Sequence, residues 1–163
     1  MDIAKNIIYD RELQNQIDAN ALGISGHVLL ALANVAAGLF PDFKVYIGAQ
    51  QQGVKPPALF VDFYSMSNQK RLADTSVYEF GFEITYIPKD EKSSAELSRA
   101  VFLLEQNLET VTSDTGNFQC YEKGSDFTDR LAHVTGIITA WEKTVPDDSD
   151  GPVIQHAEKE LKL

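Results

Sequence analysis

Gln51-Gln52-Gly53-Val54-Lys55-Pro56-Pro57-Ala58-Leu59-Phe60-Val61-Asp62-Phe63-Tyr64 is a polar loop, stiffened by two prolines, that runs without a break into a strongly apolar strand. Each proline fixes φ and removes a backbone donor, and Pro57 pushes Pro56 toward an extended conformation. Gly53 permits a positive φ where the loop tightens. From Ala58 to Ser65 the pattern predicts a strand apolar on both faces, with Leu59, Val61 and Phe63 on one and Phe60 and Tyr64 on the other. Only Asp62 interrupts it, which puts the strand inside a sheet rather than at its rim. Nothing in the stretch is a catalytic signature.

Downstream, residues 66–75 are polar and read as a connection. The next strand is the clearest in the chain: Tyr78, Phe80, Phe82, Ile84 and Tyr86 share one face, Glu79, Glu83 and Thr85 the other, and Pro88 stops it. Ser93 or Ser94 caps a helix, with Glu96 placed three residues after Ser93 as a capping box. Leu97, Ala100, Val101, Leu104, Leu108 and Val111 then recur at the helical period. Asn117–Lys123 and Leu131–Thr144 read as two strands of a hairpin joined by Gly124–Asp129. In the second of them Val134, Ile138 and Ala140 face one way and Ile137 and Trp141 the other.

Upstream, Ser25 is the expected N-cap of a helix running to about Leu39, with Leu29, Leu32, Val35, Ala36 and Leu39 as its apolar stripe. The run Val28–Phe40 contains Asn34 and is too short to span a bilayer, so a buried helix is the reading. Gly38 and Pro41 end it, and Phe43–Ile47 is a short strand. Residues 1–20 are polar and weakly periodic, an arm whose Ile3, Ile7 and Ile8 fit a short helical or extended piece.

The order helix, strand, strand, strand, helix, strand, strand implies an α+β fold, a mainly antiparallel β-sheet with two helices packed on one face. The expected organisation is an N-terminal arm over 1–22, one α+β domain over 23–145, and an acidic linker with a C-terminal tail over 146–163. The sheet face away from the helices would carry Glu79 and Glu83 beside Phe60, Tyr64, Ile137 and Trp141. Monomers seldom leave such a partly apolar surface bare.

At 163 residues, 44% hydrophobic and 23% charged, the chain has the size and composition of a single folded domain rather than a disordered one. The net charge of −10 is uneven: residues 1–75 hold seven acids and six bases, residues 76–163 seventeen and eight. That excludes a phosphate-backbone binder, which needs a basic face. It suits a solubilising surface, or a negative wall that DNA slides past without sticking. A basic start leading to an apolar run and a cleavage site is missing at Met1-Asp2, so no secretory leader is expected.

Cys120 is the only cysteine, which rules out an internal disulfide, and its strand-like setting predicts inert packing. His27, His133 and His156 are scattered without metal-ligand spacing, and no cofactor is expected. His133 reads as a solvated hairpin residue, with Asp126 and Asp129 as its possible partners. Glu79 and Glu83 stand about 13 Å apart by strand rise, too far for a pair of glycosidase carboxylates. Asp147, Asp148 and Asp150 lack the glycine and terminal glutamate of a calcium loop.

The loop-to-strand segment, Gln52-Gly53-Val54-Lys55-Pro56-Pro57-Ala58-Leu59-Phe60-Val61, is followed by Tyr78-Glu79-Phe80-Gly81-Phe82-Glu83-Ile84-Thr85-Tyr86-Ile87-Pro88 and preceded by the Phe40-Pro41-Asp42-Phe43-Lys44-Val45-Tyr46 turn and strand. Together with the covering helix and terminal hairpin, over roughly residues 24–145, this resembles a family of bacteriophage tail terminator proteins of phages and phage-derived elements (prophages) of Gram-positive bacteria. The resemblance implies a structural virion protein and not an enzyme. Such a protein forms a ring, a hexamer in related terminators, that caps the tail tube, ends its polymerisation and presents the head-joining surface.

The implied partners are further copies of the chain, the tail tube protein and a head-completion or connector protein, with DNA passing through the channel without specific binding and no membrane involved. The implied location is the head-proximal end of the virion tail, assembled in the host cytoplasm. Gln52, Gly53, Lys55 and Pro57 on the stiff loop, Lys70 and Arg71 on the connection, and Glu79 and Glu83 on the bare face are the expected subunit-interface residues. A different head- or tail-completion protein of similar fold, or an enzyme acting as a monomer, are the alternatives.

Overall fold

A computed structural model describes residues 2–48, 53–72 and 74–143. Its elements are β1 (Ile7–Ile8), α1 (Arg11–Asp18), α2 (Ile24–Leu39), β2 (Lys44–Ile47), β3 (Ala58–Lys70), β4 (Thr75–Ile87), α3 (Ser94–Asn107), β5 (Thr110–Ser113), β6 (Gly116–Thr128) and β7 (Leu131–Lys143). One seven-stranded sheet runs in the order β1-β2-β3-β4-β7-β6-β5. The pairs β3–β4, β4–β7, β7–β6 and β6–β5 are antiparallel, so the expected α+β class and mainly antiparallel sheet are what the chain forms. The short edge pairings differ: β1–β2 and β2–β3 are parallel, although only residues 48–57 separate β2 from β3.

α2 and α3 cover one sheet face. Tyr78, Phe80, Phe82, Ile84 and Tyr86 point toward them, aligned across the ladder with Ala140, Ile138, Gly136, Val134 and Ala132 of β7. α2 touches β1, β2 and β3 at one edge and β5 at the other, so the sheet curls around it. This is why Val28, Leu30, Ala31, Leu32, Ala33, Ala36 and Ala37 are all buried. The expected stripe was too narrow, because a helix wrapped by a sheet buries most of its circumference.

Several boundaries move. The N-cap of α2 is Gly23, not Ser25, and it makes no side-chain cap bond; Ser25 sits inside the first turn. Gly26 lies directly beneath the Leu22 side chain, where a Cβ would come within 2.3 Å of Leu22 Cδ1, and this close approach sets how the chain enters the helix. β3 continues to Lys70 and β4 begins at Thr75, which shortens the expected connection of residues 66–75. The hairpin loop expected over Gly124–Asp129 is likewise mostly strand. β6 reaches Thr128, and the turn is Asp129-Arg130 with φ of 52° and 62°, the left-handed pair a two-residue hairpin turn needs. α3 stops at Asn107, and Leu108 and Val111 stay buried although the chain has changed to β5. The capping box is half made. The Glu96 N–H donates to Ser93 Oγ at 3.1 Å, while the Glu96 carboxylate accepts from the Lys89 and Asp90 N–H groups at 2.7 and 3.1 Å.

Residues 1–22, expected as an arm, supply β1 and α1, and α1 is capped by Asp10 accepting from the Leu13 N–H. Two asparagines hold this segment on the fold. Asn34 accepts from the Ala4 N–H at 3.0 Å and donates to the Asp2 carbonyl at 3.2 Å. The Asn6 side chain donates to the carbonyls of Phe43, Phe40 and Ala37 at 2.9, 3.3 and 3.4 Å, satisfying the C-terminal end of α2. Asn6→Leu is expected to cost about 1–3 kcal/mol through carbonyls left unpaired. Hydrogen exchange checks this: the amides of Ile7 and Val45 should lose protection first, while those of β4 keep theirs.

Candidate assembly surfaces

Among the described residues, no helix lies over the sheet face away from α2 and α3. On it, Gly81 of β4 aligns with Ile137 of β7, and Ile137 with Tyr121 of β6. A bulge between Phe63 and Ser65 adds Tyr64 to β3 and lays its ring on Gly81, where a Cβ would come within 2.6 Å of the ring. Tyr64, Ile137 and Tyr121 thus form one apolar row across four strands, with Tyr64 57% and Tyr121 46% exposed. Acidic rows flank it: Glu79 stands between Ser67 and Thr139, and Glu83 between Asp62 and Thr135. Of the apolar residues expected here, Phe60 is the one taken out of solvent, stacked on Tyr46 at 5.1 Å and packed with Ala58, Ile87 and Val54.

Val54 belongs to the proline loop, so this small cluster holds the loop against the sheet. Gly53 has φ of +81°, the Pro56–Pro57 bond is cis, and Lys55 and Pro56 are exposed. Gln52 lies outside the described residues. Lys70 and Arg71 are at the far end of the same strand, roughly 40 Å from Pro57 at a strand's rise. Arg71 donates to Gln69 Oε1 at 3.2 Å and its N–H to the Thr75 carbonyl at 2.7 Å. The structure therefore does not bring the expected interface residues together. It puts the loop group at one end, the basic pair at the other, and Glu79 and Glu83 on the face between.

Among the described residues, no group of three or more His, Cys, Asp and Glu side chains could hold a metal ion, and no helix is long and apolar enough to cross a membrane. His133 Nδ1 lies 3.4 Å from Glu83 Oε1 and 3.3 Å from Thr85 Oγ1, beside a shallow cavity of about 190 Å³ that Asp62 also lines. The sequence pattern predicts a solvated hairpin residue, whereas the His133 side chain is only 21% exposed. Asp126 is indeed its neighbour in register on β6, but the contact is to β4, a pairing that only the sheet order reveals.

A model of the family described as phage tail terminator protein matches residues 28–149, three quarters of the chain. The chain belongs to the phage tail terminator proteins. Its role is accordingly a structural one in completing a phage tail. No curated protein matches it. The match begins inside α2, so β1 and α1 of this tail terminator lie outside it.

The pieces that carried the resemblance in sequence are in contact in the fold. The Phe40 and Phe43 rings of the Phe-Pro turn pack on Tyr86 of the Tyr-x-Pro strand end, with centroids 5.2 and 5.4 Å away. Tyr86 Oη donates to Glu96 Oε1 at 2.9 Å, joining that corner to α3. Burial, then the bond to Glu96 and its charge, hold Tyr86 well above the ordinary tyrosine value. Burial likewise pushes the Cys120 thiol up to about 11, so at neutral pH it is a packed thiol and not a nucleophile.

Both groups are neutral when folded and ionise more easily when unfolded. Their contribution is complete below the unfolded values and is lost as pH rises through the folded ones. The terminator is expected to lose stability from about pH 9 upward. A Cys120→Ala, Tyr86→Phe double variant should lose less over the same range, as read from urea midpoints at successive pH values.

Proposed function

We propose that copies of this chain close into a ring of six that caps the phage tail tube, stops its polymerisation and presents the surface to which the head is joined. The observation that carries this reading is the bare apolar row Tyr64–Ile137–Tyr121, in a chain of this family, with two unlike patches at opposite ends of β3. A ring needs a heterologous contact, that is, two different surfaces on each subunit. The proline loop with Gln52, Gly53, Lys55 and Pro57 is one, pre-organised so that little ordering is needed on docking. The part-apolar sheet face is the other, and the turn carrying Lys70 and Arg71 meets an acidic edge of the neighbour. Glu79 and Glu83 flank the apolar row at the same contact.

The charge of −10 suits a channel through which DNA passes without specific binding. The remaining partners are the tail tube protein on one side of the ring and a head-completion or connector protein on the other. The chain works as a structural part, not an enzyme, at the head-proximal end of the tail after assembly in the host cytoplasm. Sizing of a Lys55→Ala, Arg71→Ala variant tests the contact: the ring population is expected to fall, and rings formed unchanged would refute the assigned roles. Incubation with polymerising tube protein tests the cap: tubes should stop growing and carry a ring at one end.

A further inference from the structure

β3, β4 and β7 run on together past the rest of the sheet. β2 pairs with β3 only as far as Val61, and β6 pairs with β7 only as far as Ile138. Among the described residues, no strand pairs with the outer edge of β3 from Met66 to Lys70 or with that of β7 from Thr139 to Lys143. Each edge leaves a row of backbone N–H and C=O groups open to a further strand. Proline and bulge, two devices that blunt an edge, are absent from both stretches, since the bulge at Tyr64 comes before Met66. The charges they do carry are Lys70 on one edge and Glu142 and Lys143 on the other.

The two edges stand at one level. Met66 aligns through Phe80 with Ile138, and Lys70 through Ser76 with Glu142, two strand spacings or about 10 Å apart. Lys70 and Glu142 therefore point to the same sheet face, as do Asn68 and Ala140, while Gln69 and Trp141 point to the other. β3 and β7 are both antiparallel to β4, so they run the same way.

Resting on the ring reading above, we propose that the β3 edge of one copy pairs, in parallel and without a shift, with the β7 edge of the next. Rotation about a ring axis keeps the direction of strands along it, so neighbouring copies present these edges in parallel. β2 already pairs with β3 in this way one segment earlier. In the unshifted register Lys70 of one copy lies beside Glu142 of the next, and Gln69 beside Trp141 on the other face. Glu142 is then the acidic edge that the basic turn meets. Its Oε2 accepts from Tyr78 Oη at 3.1 Å, which leaves Oε1 for the ammonium. Of the other charges at this end, Lys143 points to the opposite face, and Arg71 and Asp74 lie in the turn past β3. The pairing also covers part of Met66 and Trp141, 64% and 66% exposed in the single subunit. The proline loop is on the β3 side of the sheet and Tyr121 on the β7 side, so both contacts join the same two sides. A two-fold pairing of β3 with β3, or of β7 with β7, would be antiparallel and would stop at a dimer.

The test compares the full chain with Lys70→Glu, with Glu142→Lys and with the two together, by sedimentation over a dilution series and by amide hydrogen exchange. Both side chains are exposed, so circular dichroism should be the same for all four chains. Each single reversal sets like charges side by side and is expected to weaken ring association about tenfold or more. The double reversal should restore it to near the parent's. In the parent ring, amides within Met66–Lys70 and Thr139–Lys143 should exchange several-fold slower than in subunits dissociated by dilution or by a single reversal. Single reversals that assemble as tightly as the parent, or a double reversal no tighter than the singles, would overturn the strand pairing while the ring itself stands. Edge amides as protected in the lone subunit as in the ring would overturn it in the same way. A parent that is monomeric at every concentration overturns the pairing and the ring together.

Discussion

A chain carrying Ile137→Lys together with Tyr121→Lys is expected to fold normally and fail to assemble. Both side chains sit in the middle of the bare sheet face, one on β7 and one on β6, aligned in register. Tyr121 is half exposed in the isolated subunit, so removing it from that position costs the fold little. A surface change such as Tyr121→Lys stays within about 0.5 kcal/mol of the parent, and part-exposed Ile137, whose lysine replacement can lay its stem along the sheet, adds about 1 kcal/mol. At a contact the arithmetic is different. Central anchors contribute about 2 kcal/mol or more each, and a lysine there also brings a charge that must be desolvated. Two such losses weaken subunit association by roughly a thousandfold. Sedimentation should therefore show a shift from ring to monomer, while the urea midpoint of the monomer stays near the parent's. The acidic rows with Glu79 and Glu83 beside the substitutions make the test conservative, because new lysines are held favourably in the free subunit.

The largest effect on folding itself is expected from Phe82→Ala. Phe82 is wholly buried in the middle of β4 and aligned with Gly136 of β7, and its ring occupies the space that a side chain at Gly136 would fill. A Cβ built there would come within 2.7 Å of Phe82 Cζ and 3.3 Å of the Tyr121 carbonyl oxygen. Removing the ring empties both positions at once, and the expected loss is about 3–5 kcal/mol. For a domain of this size that is a large part of the total. Gly136→Ala is the complementary change. It overfills the same space and should cost about 1–3 kcal/mol. Combining Gly136→Ala with Phe82→Leu should recover part of either loss, and urea denaturation of the four chains measures that coupling.

What was legible in the sequence and what was not divides along physical lines. The faces of β4 and β7 were readable because one side of each is sealed under helices and the other is open, and alternation records that difference directly. Tyr64, Ile137 and Trp141 on the bare face follow from the same alternation. The outer halves of β3 and β6 were read as loops because Ser67, Asn68, Gln69 and, apart from Phe127, the stretch Gly124–Thr128 are polar or glycine. Ladder hydrogen bonds use only the backbone, so a strand with both faces in water leaves no hydrophobic trace. The Asp129-Arg130 turn carries no glycine to mark its left-handed pair. β1 is too short for any period to show, and it is held by Asn6 and Asn34, whose partners are some 30 residues away in the chain. The contact of His133 with Glu83 depends on β7 pairing with β4, which no local pattern encodes. The expected interface residues lie on separate parts of the fold, a separation that no local pattern shows.

The mass of the purified full-length chain in solution, followed by sedimentation over a wide range of dilution and by negative-stain imaging, is the most direct test. The account predicts one closed ring of fixed copy number with a central channel, stable on dilution and lost with the Ile137→Lys, Tyr121→Lys variant. A single species at the 18.1 kDa of one subunit, even at high concentration, would contradict it.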